Sequence, residues 1–140
     1  MLTPHLGEYD RLAEALGLEA AELNHAEKAR RLAQELDCTV LLKGRFTAIA
    51  DEEDVRIVDT ASSWAATPGS GDVMAGMAGA VMALVTARKG AEYATEPLAA
   101  AVALHALAAR ISARMPEGYA PTSASRIAEA IPRASAQLSR

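Results

Sequence analysis

The sequence contains few of the residues that mark several common classes of protein. One cysteine, Cys38, occurs among the 140 residues, so the chain cannot form an intramolecular disulfide, and one thiol cannot supply a zinc site by itself. Because Cys38 opens an apolar run, we expect a buried structural thiol. Basic residues are also few, with 14 against 18 acidic ones and a net charge of −4, so we expect no nucleic-acid partner.

The start of the sequence lacks a long apolar segment. Thr3, Pro4 and His5 follow Met1 closely, and no basic stretch leads into an apolar one, so we expect no secretory signal and a cytoplasmic location. The most apolar region, residues 73–85, is glycine-rich and shorter than the roughly 20 apolar residues of a membrane span, so we expect a buried helix there. The chain is nevertheless 51% hydrophobic, enough for the core of one domain over residues 1–140.

Apolar runs in the first half of the chain predict a small sheet. Residues 38–42 are continuously apolar and partly β-branched, which is typical of a central strand covered on both faces. Residues 47–50 and 55–58 flank an acidic turn and predict a hairpin. Leu2 and Thr3 resemble the end of a further strand. Since these strands are too few to flank a central strand, we expect part of a larger sheet, with an edge that associates with another copy or another polypeptide.

The rest of the sequence predicts helices. Their apolar spacing, with Gly17 ending the first of them, places them at residues 8–16, 22–36, 71–86, 97–115 and 123–130. Together with the strands, these helices predict a layered α/β fold.

Residues 67–72, Thr-Pro-Gly-Ser-Gly-Asp, lie directly before the apolar third helix. Glycines let backbone N–H groups approach an anion closely, and a helix N-terminus adds unpaired N–H groups and the positive end of a dipole. The segment predicts an anion hole at Gly69, Ser70 and Gly71, with Asp72 placed to accept a proton from a substrate hydroxyl. Taken alone, the same pattern favours an ordinary turn followed by a first-turn acid.

A second loop follows the apolar strand, at the edge where open α/β sheets bind ligands. Its residues are Lys43, Gly44, Arg45, Phe46 and Thr47. The lysine is suited to a phosphate, the glycine lets the backbone approach a nucleotide, and the threonine offers a hydroxyl. Alone, the loop is equally consistent with a surface turn that closes the hairpin.

A third loop, Thr-Pro-His-Leu-Gly-Glu at residues 3–8, lies between the end of a strand and the first helix. The imidazole of His5 is suited to contact polar groups of a substrate. By itself, the segment favours a solvated histidine and a first-turn acid at Glu8.

Taken in order, these loops resemble a known family. The segments TPHLGE, LLKGRFT and ATPGSGDVMAG, followed by AVALHALAA and SASRIAEAIP, are similar to the C-terminal half of the NAD(P)H-hydrate dehydratases. Three loops in the right order are far more specific than any one motif. The resemblance implies a three-layer α-β-α ribokinase-like fold, present here in part, and a lyase that uses ADP or ATP to dehydrate hydrated NADH or NADPH.

The resemblance also implies a role for each loop. It implies that ADP or ATP is held by Gly71 and by the loop of residues 43–47, with Mg²⁺ accompanying the phosphates and no metal site built from protein ligands alone. It further implies that His5 and Asp72 face the hydrated dinucleotide. Asp72 would be the base on the hydroxyl that is phosphorylated and then expelled as phosphate.

The chain departs from the family pattern in three respects. Leu6 replaces the usual proline, Thr67 and Pro68 replace a small residue and a glycine, and the family's N-terminal half has no counterpart. Whether the chain is an enzyme by itself therefore stays open. The alternatives are a ribokinase-like small-molecule kinase, such as a hydroxymethylpyrimidine or hydroxyethylthiazole kinase, and a non-catalytic nucleotide-binding fragment. The segments TPHLGE and KGRFT favour the dehydratase.

Overall fold

The computed structural model of the protein describes residues 1–19, 22–89 and 94–139. The helices in these residues are α1 (Leu6–Ala15), α2 (His25–Leu36), α3 (Ser70–Lys89), α4 (Thr95–Ser112) and α5 (Ala124–Leu138). The strands are β1 (Val40–Leu42), β2 (Phe46–Ala50), β3 (Val55–Asp59), β4 (Arg114–Met115) and β5 (Gly118–Tyr119). The first three strands form one sheet, and β4 and β5 form a separate hairpin.

The main sheet is an antiparallel meander in which β2 lies between β1 and β3. The hairpin that the two short apolar runs predict is confirmed as β2 and β3. On the other side of β1, the segment around Leu2 and His5 runs parallel to it, and the Leu41 N–H donates to the Leu2 carbonyl at 2.8 Å. β1 is therefore paired on both sides, as a central strand should be. The expectation that it lacks a flanking strand is wrong.

Side chains of the sheet alternate between two helical layers. Val40 and Leu42 of β1 join a buried cluster with α1 and α2, whereas Leu41 of β1 and Ile49 of β2 join a cluster with α3 and α4. Successive residues of a strand point to opposite faces, so three neighbouring apolar residues supply both layers. α5 packs against α4 through a third cluster that includes Ile127. The predicted three-layer α-β-α fold is confirmed.

Capping residues determine where the first two helices begin and end. His5 caps α1, and Asn24 caps α2 by accepting hydrogen bonds from two N–H groups of its first turn, each at 3.0 Å. α2 therefore begins at His25, later than the helix predicted over residues 22–36. Gly17 lies just beyond α1 with a φ of 66°, which confirms its predicted role at the end of that helix.

α3 is longer and more exposed than the buried helix expected over residues 71–86. It runs for 20 residues, and its outer face is exposed along most of its length. Over Ser70–Arg88 the mean hydropathy is 1.4 and 22% of the stretch is buried, so it is the one described helix long and apolar enough to cross a membrane. The helix expected over residues 71–86 is thus confirmed, but the expectation that its apolar region is buried and too short for a span is wrong. Length and composition alone are weak evidence for a span, and Met74 and Ala78 pack α3 into the core cluster of the sheet.

The C-terminal helices also differ from their predicted bounds. α4 ends at Ser112, and the β4–β5 hairpin takes the place of the end of the helix predicted over residues 97–115. α5 continues to Leu138 although it contains Pro132. Proline lacks an N–H and usually interrupts a helix, which is why the predicted helix ends too early. Here the helix continues on both sides of the proline.

Cys38 lies just before β1. Its thiol is free and half-buried, and it packs against the cluster between the sheet and the first two helices. The contacts fit the expected structural thiol, but Cys38 is half-buried and not buried as expected.

Candidate functional site

A cavity of about 620 Å³ opens where β1 ends, between the sheet, α3 and α4. The buried side chains of Leu41, Met74 and Val102 give it an apolar floor. The full lining consists of His5, Leu41, Lys43, Gly44, Arg45, Thr47, Thr60, Ser62, Ser63, Ala65, Ala66, Thr67, Ser70, Gly71, Met74, Val102 and His105. An apolar cavity with a few convergent polar groups is typical of a small-molecule or cofactor site.

Lys43 reaches from the end of β1 across the first turn of α3. Its Nζ lies 3.3 Å from the position that a Cβ on residue 71 would take, so the glycine leaves room for the ammonium group. On its other side, the Nζ lies 3.7 Å from Glu8 Oε2. A hydrogen bond from the His5 backbone lowers the pKa of Glu8, burial opposes this, and the charge of Lys43 lowers it further.

The first turn of α3 presents backbone donors beside this ammonium group. We call Gly69, Ser70 and Gly71 the anion turn. The Ser70 N–H donates to the Thr67 carbonyl at 3.1 Å, and the Asp72 N–H donates to the Gly69 carbonyl at 3.1 Å. The N–H groups of Gly69 and Gly71 have no acceptor among the described residues. Gly69 has a φ of 81°, which favours glycine, and its turn places these donors at the positive end of a helix dipole.

The loop that follows β1 is held by a hydrogen bond within the loop and by another from α2. The Thr47 hydroxyl donates to the Gly44 carbonyl at 2.9 Å. His25 Nε2 lies 3.1 Å from the Leu42 carbonyl oxygen, and because a carbonyl only accepts, this ring nitrogen is the donor. A Cβ on residue 44 would lie 3.1 Å from the same nitrogen, which explains the glycine there. His25, which the sequence pattern does not single out, thus supports the loop from α2.

Arg45 and Phe46 differ in their relation to the cavity. Arg45 lines it, and its Nε donates to Asp59 Oδ1 at 2.6 Å. This pairing raises the pKa of Arg45 and lowers that of Asp59. Phe46 lies outside the lining and is 54% exposed, with its ring centroid 5.7 Å from the Arg45 guanidinium. The two side chains therefore meet at the rim, where the loop joins the end of β3.

His5 and Asp72 lie at the outer side of the same region. His5 lines the cavity, and its Nδ1 accepts a hydrogen bond from the Glu8 N–H at 3.1 Å, so the ring also caps α1. Asp72 is exposed in the first turn of α3 and does not line the cavity. Its carboxylate is therefore available to a group that binds outside the cavity.

His105 is a further lining residue that the motifs do not indicate. It projects from α4 and is 7% exposed, with its Nε2 3.2 Å from the Ser70 Oγ. Burial lowers the pKa of His105, and a hydrogen bond with the Ser70 backbone opposes this. A signal for it exists in the sequence, because His105 is the one polar residue in the otherwise apolar run at residues 97–109. A polar side chain in such a run needs a partner once the helix is buried.

The loop between β3 and α3 forms another side of the cavity. Trp64 stacks on Tyr119 of the small hairpin, with ring centroids 5.5 Å apart and planes inclined by 16°. The Thr67 hydroxyl donates to the Thr122 carbonyl at 3.2 Å. Both contacts tie this side of the cavity to the C-terminal part of the chain.

A three-layer α-β-α fold, with a strand-end lysine facing a glycine turn at a helix N-terminus, is a ribokinase-like fold with a turn suited to an anion. The sequence also matches a profile of carbohydrate-kinase-like proteins described as NAD(P)H-hydrate dehydratase, over residues 1–133. The chain belongs to this family, so the resemblance seen in its loops is confirmed.

Relatives with assigned names agree with this membership. The chain is 43% identical over 157 aligned positions to the bifunctional NAD(P)H-hydrate repair enzyme Nnr of Corynebacterium glutamicum, and the match covers 99% of the chain and 27% of that enzyme. The match to the Mycobacterium leprae enzyme of the same name is 44% identical and covers 99% of the chain and 28% of that enzyme. An ADP-dependent (S)-NAD(P)H-hydrate dehydratase of Cenarchaeum symbiosum is 35% identical over 83 residues, covering 59% of the chain and 29% of that protein.

Solved structures show the same fold. The ADP/ATP-dependent NAD(P)H-hydrate dehydratase of Bacillus subtilis, co-crystallized with ATP/Mg²⁺, superimposes with a TM-score of 0.75 at 26% identity. The match covers 97% of this chain and 47% of that one. The chain therefore spans about half the length of the solved dehydratase and about a quarter of the length of the bifunctional repair enzymes.

Proposed function

We propose that this chain forms the nucleotide-binding part of an ADP- or ATP-dependent NAD(P)H-hydrate dehydratase, which converts hydrated NADH or NADPH back to the working cofactor. One observation carries the proposal. Lys43 meets Gly71 at the first turn of α3, with the ammonium group 3.3 Å from where a Cβ would stand, inside a cavity of about 620 Å³. Family membership supports the dehydratase reaction over a small-molecule kinase.

The cavity is suited both to the nucleoside and to the phosphates of a nucleotide. The apolar floor of Leu41, Met74 and Val102 is suited to a base and ribose, and the rim carries hydroxyl groups. The negative charge of the phosphates matches Lys43 and the N–H groups of Gly69 and Gly71, which have no acceptor in the described part of the chain. The Lys43–Glu8 contact is long and half-exposed, so displacing Glu8 from the lysine costs little.

In the proposed reaction, the nucleotide supplies the phosphoryl group that makes the substrate hydroxyl a leaving group. Asp72 accepts the proton of that hydroxyl, and His5, which lines the cavity, contacts the hydrated dinucleotide. Lys43 and the anion turn stabilise the charge of the transferring phosphoryl group. The C–O bond then breaks, phosphate leaves with the bonding pair, and loss of a ring proton restores the double bond.

The proposed Mg²⁺ would accompany the nucleotide phosphates. In the part of the chain that the structure describes, no cluster of three or more His, Cys, Asp or Glu side chains is placed to hold a metal. This fits the ion, because Mg²⁺ usually binds through substrate phosphates, water and one or two carboxylates. Asp72 in the first turn of α3 is the carboxylate nearest in sequence to the anion turn.

We further propose that the active form is an assembly with another polypeptide or another copy. The outer face of α3 exposes Gly76, Gly79, Ala80, Ala83 and Leu84, and Leu84 is 52% exposed. A Cβ on either glycine would meet no atom within 4 Å, so a partner has room to approach closely. The length of the relatives supports a partner that supplies the rest of the enzyme.

The test is the recovery of NADH absorbance from hydrated NADH in the presence of ADP and magnesium. The chain should be assayed alone and together with the part of a relative that it does not span. We expect turnover in the combined sample and its loss without ADP. A phosphorylated product without NADH would indicate a kinase, and the absence of ADP binding in calorimetry at millimolar nucleotide would contradict the nucleotide site.

A further inference from the structure

His105 and Ser70 form a buried polar contact that the proposed chemistry does not use. Ser70 is 2% exposed and His105 is 7% exposed, and the Ser70 Oγ lies 3.2 Å from His105 Nε2. The residues belong to different helices, so the contact joins the start of α3 to α4. Side chains buried this deeply need their hydrogen bond, because an unpaired hydroxyl or imidazole is costly in an apolar environment.

Ser70 is the middle residue of the anion turn. Its N–H donates to Thr67 and its hydroxyl contacts His105, whereas the N–H groups of Gly69 and Gly71 on either side have no acceptor among the described residues. Glycines allow many backbone conformations, so they do not hold the turn in one of them. The Ser70 side chain is the one in the turn that can anchor its orientation.

We propose that His105 is a positioning residue for the anion turn. By holding the Ser70 hydroxyl, it sets the direction of the neighbouring N–H groups and thereby the affinity for nucleotide phosphates. The inference rests on the proposed nucleotide site. Neutral imidazole has one donor and one acceptor, which suits a contact with a hydroxyl, and burial lowers the pKa of His105 and favours that neutral form. The other titratable or charged side chains that line the cavity are His5, Lys43 and Arg45.

The test compares calorimetric affinities for ADP and for adenosine, which lacks phosphate. His105→Leu and Ser70→Ala should each weaken ADP binding about five- to tenfold, the usual effect of one lost hydrogen bond, and leave adenosine binding unchanged. His105→Gln should recover most of the affinity, because its amide can replace the ring nitrogen. Ser135→Ala is the control, since it removes an exposed hydroxyl of α5 outside the cavity.

Two results would overturn the proposal. Equal weakening of ADP and adenosine would mean that His105 contacts the nucleoside directly. Unchanged ADP affinity in both His105→Leu and Ser70→Ala would mean that the contact only supports the fold. Ser70→Ala keeps the test valid if the leucine variant does not fold.

A second measurement does not depend on nucleotide binding. In nitrogen-15 NMR spectra of the free protein, the amide signals of Gly69 and Gly71 should move in His105→Leu, and return toward their original positions in His105→Gln. If the unmodified protein binds no ADP, the proposed nucleotide site fails, and these signals still decide the positioning role. Unmoved signals in His105→Leu would refute it.

Discussion

The ammonium group of Lys43 occupies the space that a side chain at Gly71 would need, with Nζ 3.3 Å and Cδ 4.0 Å from the position of a Cβ. The two residues are distant in sequence and meet because β1 ends beside the start of α3. The positive side chain of Lys43 thus lies beside the N-terminal N–H groups of α3 and also lines the cavity. Such an arrangement is unfavourable for the helix dipole unless an anion binds there.

Gly71→Ala should weaken ADP binding about tenfold, because the added methyl group displaces the lysine from the anion turn. The fold should be nearly unaffected, since the methyl group meets the flexible end of a side chain and alanine favours helices. Calorimetry and urea unfolding measure the two effects separately. Gly76→Ala is the matched control, because a Cβ there meets no atom within 4 Å. It should raise the free energy of unfolding by about 0.5–1 kcal/mol and leave ADP affinity unchanged.

Asp72→Asn should preserve nucleotide binding and lower turnover by at least about 10²-fold in an assembly that restores catalysis, as loss of a general base does. The amide keeps the size and the first-turn position of the carboxylate but cannot accept the substrate proton. Steady-state formation of NADH from hydrated NADH gives kcat and KM. Asp10→Asn, an exposed aspartate of α1, is the control. Normal turnover in the Asp72 variant would leave the residue as a helix-end acid.

His105 should make stability depend on pH. Burial lowers its pKa in the folded protein below the ordinary value of 6.5, so at pH values just below 6.5 the unfolded chain binds more protons. The contribution of His105 is therefore present above about pH 6.5 and decreases as the pH falls through that value. Urea unfolding at about pH 7.5 and about pH 5.5 should show this decrease, and His105→Gln should reduce it. An equal decrease in both proteins would contradict the prediction.

The pH window separates His105 from the carboxylates. Hydrogen bonds and ion pairs lower the pKa values of Glu8, Asp54 and Asp59, so these groups affect stability only at lower pH. The other titratable or charged side chains that line the cavity with His105 are His5, Lys43 and Arg45. The free energy of unfolding should therefore fall more steeply with decreasing pH in the unmodified protein than in His105→Gln. That difference isolates the contribution of the buried imidazole.

Local patterns predict the sheet and two of the site loops well. The apolar run before Lys43 has the composition of a buried strand, and the acidic residues 51–54 indicate a turn. β1, β2 and β3 form where these patterns predict them. The position of the loops could be inferred because a loop that follows a strand must lie at its end. Which side chains meet across the cavity depends on how the helices pack. The local spacing of apolar residues does not predict those contacts.

Three features show what local patterns omit. His105 finds its partner 35 positions away in sequence, so its role requires the tertiary structure. Apart from Leu84, the apolar residues of the outer face of α3 are small, and glycine and alanine have too little apolar surface to reveal whether a face is covered. Pro132 suggests the end of a helix, yet the packing of α5 on α4 overrides this local preference.

The chain should be found in an assembly, and the outer face of α3 should be the contact surface. β1 is paired on both sides, so the reason lies with this exposed apolar face and not with an open central strand. A stable association should bury more than about 2,000 Å² in total and persist in dilute solution. Ala83→Glu should disrupt it, because a charge on this face would be buried without a partner, whereas Ala128→Glu on the exposed side of α5 should not. Light scattering decides the matter: a stable monomer at micromolar concentration that also dehydrates hydrated NADH would show that the face needs no partner and that these residues suffice for catalysis.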